Sequence, residues 1–236
     1  MRLIFLYLYL QNHSVWLAMI ALRTLKKWVE KGEGLHLEFK TKAAHPEKIA
    51  RELVAFANTE GGMLLIGVED NRTIAGCKYP EEEIFTVTRH LETYCPDLIY
   101  TLLRIPISTK REVLALEIDE HENKPVFLLD SVEKGKKNAF VRVADMSIVA
   151  SREMEFVLHF RKDKQDWKFF YGKREETIVR YLSANPAISL PEAQALLQLP
   201  RKPTAITLVA LVRAGLVNIM PGEQGDLFSI EEKAFE

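Results

Sequence analysis

At 236 residues the chain has room for one large domain, or for a larger domain with a small one beside it. Its 47% hydrophobic and 28% charged residues are those of an ordinary globular protein, and 32 Lys+Arg against 33 Asp+Glu, a net charge of −1, exclude a histone-like coating of nucleic acid. Any nucleic-acid role must therefore come from local patches of charge.

From Leu3 to Leu22 two short apolar runs flank a polar break, Gln11–Ser14. A spanning helix needs about 20 mostly apolar residues without such a break, so membrane anchoring is not expected. Residues 1–20 read as an extension, either an extra packing segment or the product of an upstream start, with Met19 opening the true chain. Ala21–Lys31 has helical spacing of Leu22, Leu25, Trp28 and Val29 and closes at Gly32. Leu35–Lys40 alternates, with Leu35, Leu37 and Phe39 on one face and His36, Glu38 and Lys40 on the other, which predicts a half-buried strand. His45–Asn58 is a helix with Pro46 in its first turn, and the continuous apolar run Met63–Val68 is a central strand buried on both faces.

After the turn Glu69–Arg72 come a short return over Thr73–Cys77 and a helix over Glu81–Tyr94. Ile99–Ile107 and Glu112–Ile118 form a hairpin, Val126–Leu129 and Phe140–Val143 add strands, and Arg152–Arg161 is a helix. The pattern then changes. Lys173–Ser183, a capped helix from Ser189 to Leu197, and a third that Thr204 caps and Ala214–Gly215 closes are followed by a hairpin over Leu216–Met220 and Leu227–Ile230. The expected fold is α+β, a mixed sheet with packed helices, followed by a small winged helix-turn-helix domain.

Cys77 and Cys95 form no C-x-x-C pair, and the six histidines show no H-E-x-x-H or H-x-x-x-H spacing. Neither a disulfide framework nor a zinc site is written, and a reducing cytoplasm is the expected compartment. No G-x-S-x-G, P-loop or G-x-G-x-x-G is present. Glu38 and Lys40 share a strand face, Glu33 precedes that strand and Asp70 follows the central one. If the two strands are neighbours, three carboxylates converge as oxygen ligands suited to Mg²⁺ or Mn²⁺, with Lys40 beside them. Gly61–Gly62 reads either as an anion nest or as a helix C-cap, and Asn58 as a helix-end hydrogen bonder.

Glu33-x4-Glu38-Phe39-Lys40, the run Ala55–Gly62 (A-F-A-N-T-E-G-G), Leu65–Asp70 (L-I-G-V-E-D), Gly76 and Phe140-Val141-Arg142-Val143 together resemble the Schlafen-type AlbA domain, once called a divergent AAA domain. The resemblance covers roughly Leu22 to Phe160. It implies residues 21–162 as that domain, 163–172 as a linker and 173–236 as the winged helix that bacterial members, described as transcriptional regulators, commonly carry. In the animal Schlafen proteins an E, E, D trio cleaves transfer and ribosomal RNA; by motif position it falls on Glu33, Glu38 and Asp70. Those enzymes use a duplicated, clamp-shaped domain, whereas one copy stands here. Their usual D-D-x-G turn is here Glu69-Asp70-Asn71-Arg72. The AAA name suggests ATP, but without a Walker lysine ATP is not expected.

Candidate nucleic-acid contacts are Lys136, Lys137 and Arg142 around a hairpin, and Arg201, Lys202 and Thr204 at the start of the third carboxy-terminal helix. Cations and aromatics also interleave over His159–Arg174. Divided at Lys173, neither part of the chain is basic overall. The leading reading is a cytoplasmic DNA-binding transcriptional regulator, with DNA or structured RNA as partner and a homodimer as the form that doubles each patch. The alternatives are a Mg²⁺- or Mn²⁺-dependent endoribonuclease using Glu33, Glu38 and Asp70, and a non-catalytic oligomeric scaffold whose winged helix binds protein.

Overall fold

The computed structural model describes Met19, residues 21–160 and residues 168–230. The apolar amino-terminal runs and Arg161, Lys162, Lys164 and Trp167 of the connecting stretch lie outside the described residues.

Helix α1 (21–31) closes at Gly32, which takes φ +82°, the left-handed conformation that a glycine adopts without strain. Strand β1 (Leu37–Lys40) then pairs in parallel with β2 (Gly62–Ile66), with Glu38 opposite Leu64 and Lys40 opposite Ile66. Helix α2 (Pro46–Asn58) is the crossover between them. Helix α3 (Pro80–Tyr94) leads to β3 (Thr101–Ser108) and β4 (Arg111–Ile118), and the sheet runs β1-β2-β4-β3, mixed in direction with β1 at one edge.

Alternation along the two inner strands makes the sheet two-sided. Leu64, Ile66, Leu114 and Leu116 face α2 and α3, where Leu53, Phe56, Val87 and Leu91 join them in one buried cluster. Leu65, Val113 and Ala115 point the other way, against Leu25 and Val29 of α1 and Phe39 of β1. The central strand is thus buried on both faces, as its unbroken apolar run predicts.

Beyond the sheet, β5 (Leu128–Leu129) pairs with β6 (Lys137–Asn138), and β7 (Phe140–Val143) with β8 (Met146–Val149), before helix α4 (Arg152–Phe160). The strand expected over Val126–Leu129 is only its last two residues, and the Thr73–Cys77 return is reduced to the bridges Val68↔Ile74 and Cys77↔Glu112.

The carboxy-terminal residues fold as α5 (Lys173–Ala184), β9 (Ile188–Ser189), α6 (Leu190–Leu197), α7 (Arg201–Arg213), β10 (Asn218–Met220) and β11 (Leu227–Ser229). The three strands form an antiparallel sheet in the order β10-β11-β9. Ile178, Leu182, Ile188, Leu208, Leu211 and Phe228 make a buried cluster of their own. Ser189 caps α6 through a reciprocal box: its hydroxyl accepts the Glu192 N–H, and its own N–H donates to the Glu192 carboxylate at 2.7 Å. Helix α7 begins four residues ahead of its expected start. Pro200 stands at its cap, and Thr204 lies inside the first turn, buried, donating its hydroxyl to the Pro200 carbonyl at 3.0 Å.

A further cluster joins α4 to α7. Met154, Val157 and Leu158 pack with Val141, and Val209, Val212 and Ile219 close against them. Among the described residues no helix is long and apolar enough to cross a membrane.

Candidate functional site

The loop before β1, β1 itself at the edge of the sheet and the turn after β2 bring Glu33, Glu38, Lys40 and Asp70 into one neighbourhood. Gly67 carries the chain out of β2 at φ +102°, donating its N–H to the Lys40 carbonyl at 2.7 Å, and a Cβ there would meet Gly76 at 2.9 Å. Only glycine fits this crossing. Glu33 accepts the Phe39 N–H at 2.9 Å. Burial holds its carboxyl above the ordinary carboxylate range. The Phe39 bond opposes that, the charge of Glu38 adds to it, Lys40 opposes, and Asp70 adds again.

Glu38 departs from its expected place on a solvated strand face, because it is buried beneath Arg142 of β7. One carboxylate oxygen accepts from Arg142 Nη2 at 2.6 Å and the other from Lys40 Nζ. The Arg142 side chain is 0% exposed. It donates further to Glu52 at 2.5 Å, to the Gly34 carbonyl at 3.0 Å and to Ser147 Oγ at 3.2 Å, and its guanidinium lies over the Phe56 ring, 4.9 Å from the centroid. Ser147 donates to Glu52 as well, and Arg51 reaches the remaining Glu52 oxygen at 3.2 Å. One arginine therefore ties β1, α2, β7 and β8 together. The expectation that Arg142 meets a phosphate is corrected by this enclosure: its donors are held by carboxylates and carbonyls inside the protein.

The donor set does not fit a divalent cation. Both oxygens of Glu38 are held by cations, so a metal at Glu38 would have to displace Lys40 or Arg142, and one oxygen of Glu33 is held by a backbone N–H. Among the described residues no three His, Cys, Asp or Glu side chains stand together as a metal-holding group. Glu52 and Ser147 are the partners that sequence reasoning missed. Glu52 had a signal, being a carboxylate within the buried stripe Ile49, Leu53 and Phe56 of α2.

Gly61 and Gly62 take the packing role. The Gly61 N–H closes α2 on the Phe56 carbonyl at 2.9 Å, and a Cβ at Gly62 would meet the Phe56 ring at 2.5 Å. Asn58 is fully buried at the end of α2, donating to the Val126 and Phe140 carbonyls and accepting the Val126 N–H at 2.7 Å.

The remaining candidate cations are superficial. Lys136 pairs with Glu133 at 2.9 Å, and Lys137 lies over the Phe127 ring, 3.9 Å from its centroid. Arg201 lies 3.0 Å from the Glu153 carboxylate of α4, whereas Lys202 is exposed. Thr204 is buried, its hydroxyl on the Pro200 carbonyl, which corrects its place among the nucleic-acid contacts. Asp226 in the β10–β11 turn accepts a hydrogen bond from Ser151, ahead of α4, and burial raises its pKa.

A mixed sheet flanked by helices, with charged residues gathered at its β1 edge, is the setting in which residues 33–151 match the family model described as Schlafen, AlbA_2. The chain belongs to that family, which associates it with a nucleic-acid-related function. Among solved structures it is similar to the DIP2311 protein from Corynebacterium diphtheriae, at 17% identity and a TM-score of 0.38. That match covers 82% of this chain, which spans 34% of the other chain's length.

Proposed function

We propose that the protein is a DNA-binding transcriptional regulator of the cytoplasm, in which residues 21–162 form the Schlafen-type AlbA domain and residues 173–236 a winged helix joined by the linker 163–172. The observation that carries the reading is the order α5, β9, α6, α7, β10, β11 with strands arranged β10-β11-β9. A winged helix has this succession, its third helix being the one offered to DNA. Arg201 and Lys202 stand exposed at the start of that helix, and Lys136 and Lys137 supply cations elsewhere on the surface. A homodimer would double each patch and so offset the neutral overall charge.

The competing reading, a Mg²⁺- or Mn²⁺-dependent endoribonuclease, draws support from the shared neighbourhood of Glu33, Glu38, Lys40 and Asp70. It is disfavoured by the pairing of Glu38 with Arg142 and Lys40. Fluorescence anisotropy with labelled duplex DNA tests the first reading. Affinity is expected to fall steeply as salt rises, and Lys202→Ala to reduce the slope of log affinity against log salt by about 1. Absent or salt-independent binding would remove the DNA reading.

A further inference from the structure

Helices α4 and α7 run side by side in the same direction, since Glu153 meets Arg201 near their starts and the Arg213 guanidinium lies 4.5 Å from the Phe160 ring centroid near their ends. Between them is a groove of about 690 Å³. Its α4 wall carries Phe156 and Phe160, and its α7 wall Ala205, Ile206, Val209 and Ala210. Phe156 is 56% and Ile206 61% exposed, so these side chains present a continuous apolar floor to solvent. At the end where both helices begin, Arg152, Arg201 and Lys202 gather around the groove, against Arg213 alone at the other end; among the described residues the one lining acid, Glu153, is buried and held by Arg201. The amino-terminal partial charges of two helices add to the same positive end.

We propose that this groove is the docking site for an amphipathic helix of a partner protein, one that presents an apolar stripe along its length and acidic side chains at one end. The occupant follows from the complementarity of charge and of surface. An apolar floor framed by two parallel helices receives the ridge of a third, as in helix-in-groove recognition. The excess of cations at one end orients that helix and rejects a basic one. A single nucleic-acid strand matches the floor less well, because stacking needs successive open rings. Here the α7 wall is aliphatic, and the Phe160 ring lies beneath Arg213. The inference rests on the shape and charge of the groove and not on the DNA-binding reading.

Anisotropy on the full chain tests it with three labelled probes. One is a synthetic helical peptide with leucines spaced three and four apart and glutamates over its last turn, the second its counterpart with lysines for glutamates, and the third oligo(dT). The glutamate peptide is expected to bind, the lysine peptide not to. Phe156→Ala and Ile206→Ala should each weaken binding by at least about fivefold, and Lys202→Glu should weaken the glutamate peptide specifically. All three positions are exposed, so circular dichroism should show the variants folded as the parent is. Failure of the glutamate peptide to bind, equal binding of both peptides, or indifference to all three substitutions would overturn the proposal. Binding of oligo(dT) alone, lost in Phe156→Ala, would overturn it too and give the surface to a nucleic acid.

Discussion

The β1 edge and the α4–α7 groove are assembled from similar side chains, arginines and lysines beside glutamates and phenylalanines, yet burial gives them opposite roles. At β1, Arg142 is closed off by α2 and β8, and its charge is answered by Glu38 and Glu52. In the groove, Arg152, Arg201 and Lys202 surround an open apolar floor, with Glu153 the single lining acid among the described residues. A buried ion cluster holds elements in register, and removing one member leaves the others desolvated and uncompensated. Arg201 is engaged by the buried Glu153, but exposed cations such as Arg152 and Lys202 keep their water, add little to stability and remain available to a partner.

This contrast is broken most readily at Arg142. Arg142→Ala leaves Glu38 with Lys40 alone and Glu52 with Arg51 and Ser147, both carboxylates having lost their one fully buried cation, and a stability loss of about 3 kcal/mol is expected in chemical denaturation. A loss below about 1 kcal/mol would mean that water reaches Glu38 and Glu52, and the two regions would no longer differ in kind. Ser147→Ala removes one donor to Glu52 while Arg142 and Arg51 still hold that carboxylate. The expected cost is about 1 kcal/mol by the same measurement. A cost as large as that of Arg142→Ala would show the cluster failing as a unit when any member is lost.

What was legible in the sequence follows the same division between local and distant causes. Helix α2 could be read because Pro46 and the spacing of Ile49, Leu53 and Phe56 are local signals, and β2 because its apolar run is unbroken. Strands β6, β8 and β9 have two to four residues each and mixed polarity, too short to show a period. Arg142 alternates with Val141 and Val143, which locally reads as polar side out. Its burial depends on α2, whose Glu52 is 90 residues away in sequence. The carboxylate trio was likewise legible as a neighbourhood, but the pairing that occupies Glu38 was not. Thr204 misled for another reason: its cap preference is strong, but Pro200 and Arg201 had already begun the helix.

Glu33 sharpens the comparison from inside the first region, because it is only partly enclosed. Its folded pKa is raised above the ordinary value of 4.5, so between the two values the folded chain binds more protons than the unfolded one. Stability from this group therefore rises as pH falls through the raised pKa and levels off below the unfolded value. Glu33→Gln keeps an acceptor for the Phe39 N–H and abolishes the titration. The variant is expected to unfold at a slightly higher temperature than the parent at neutral pH, with the gap closing on acidification. A gap that widens on acidification would mean that the ionised carboxylate is the favoured form.

The smallest stability effect belongs to Lys202. Its ammonium is exposed at the rim of the groove, so Lys202→Ala should leave the free energy of unfolding within about 0.5 kcal/mol of the parent. The same substitution is expected to flatten the salt dependence of DNA binding, a separate assay from the one that reads folding. A cation whose loss is silent in denaturation and visible in binding is available to a ligand. Should Lys202→Ala destabilise the fold as Arg142→Ala does, the groove would be a second internal ion cluster, and its cations would be structural.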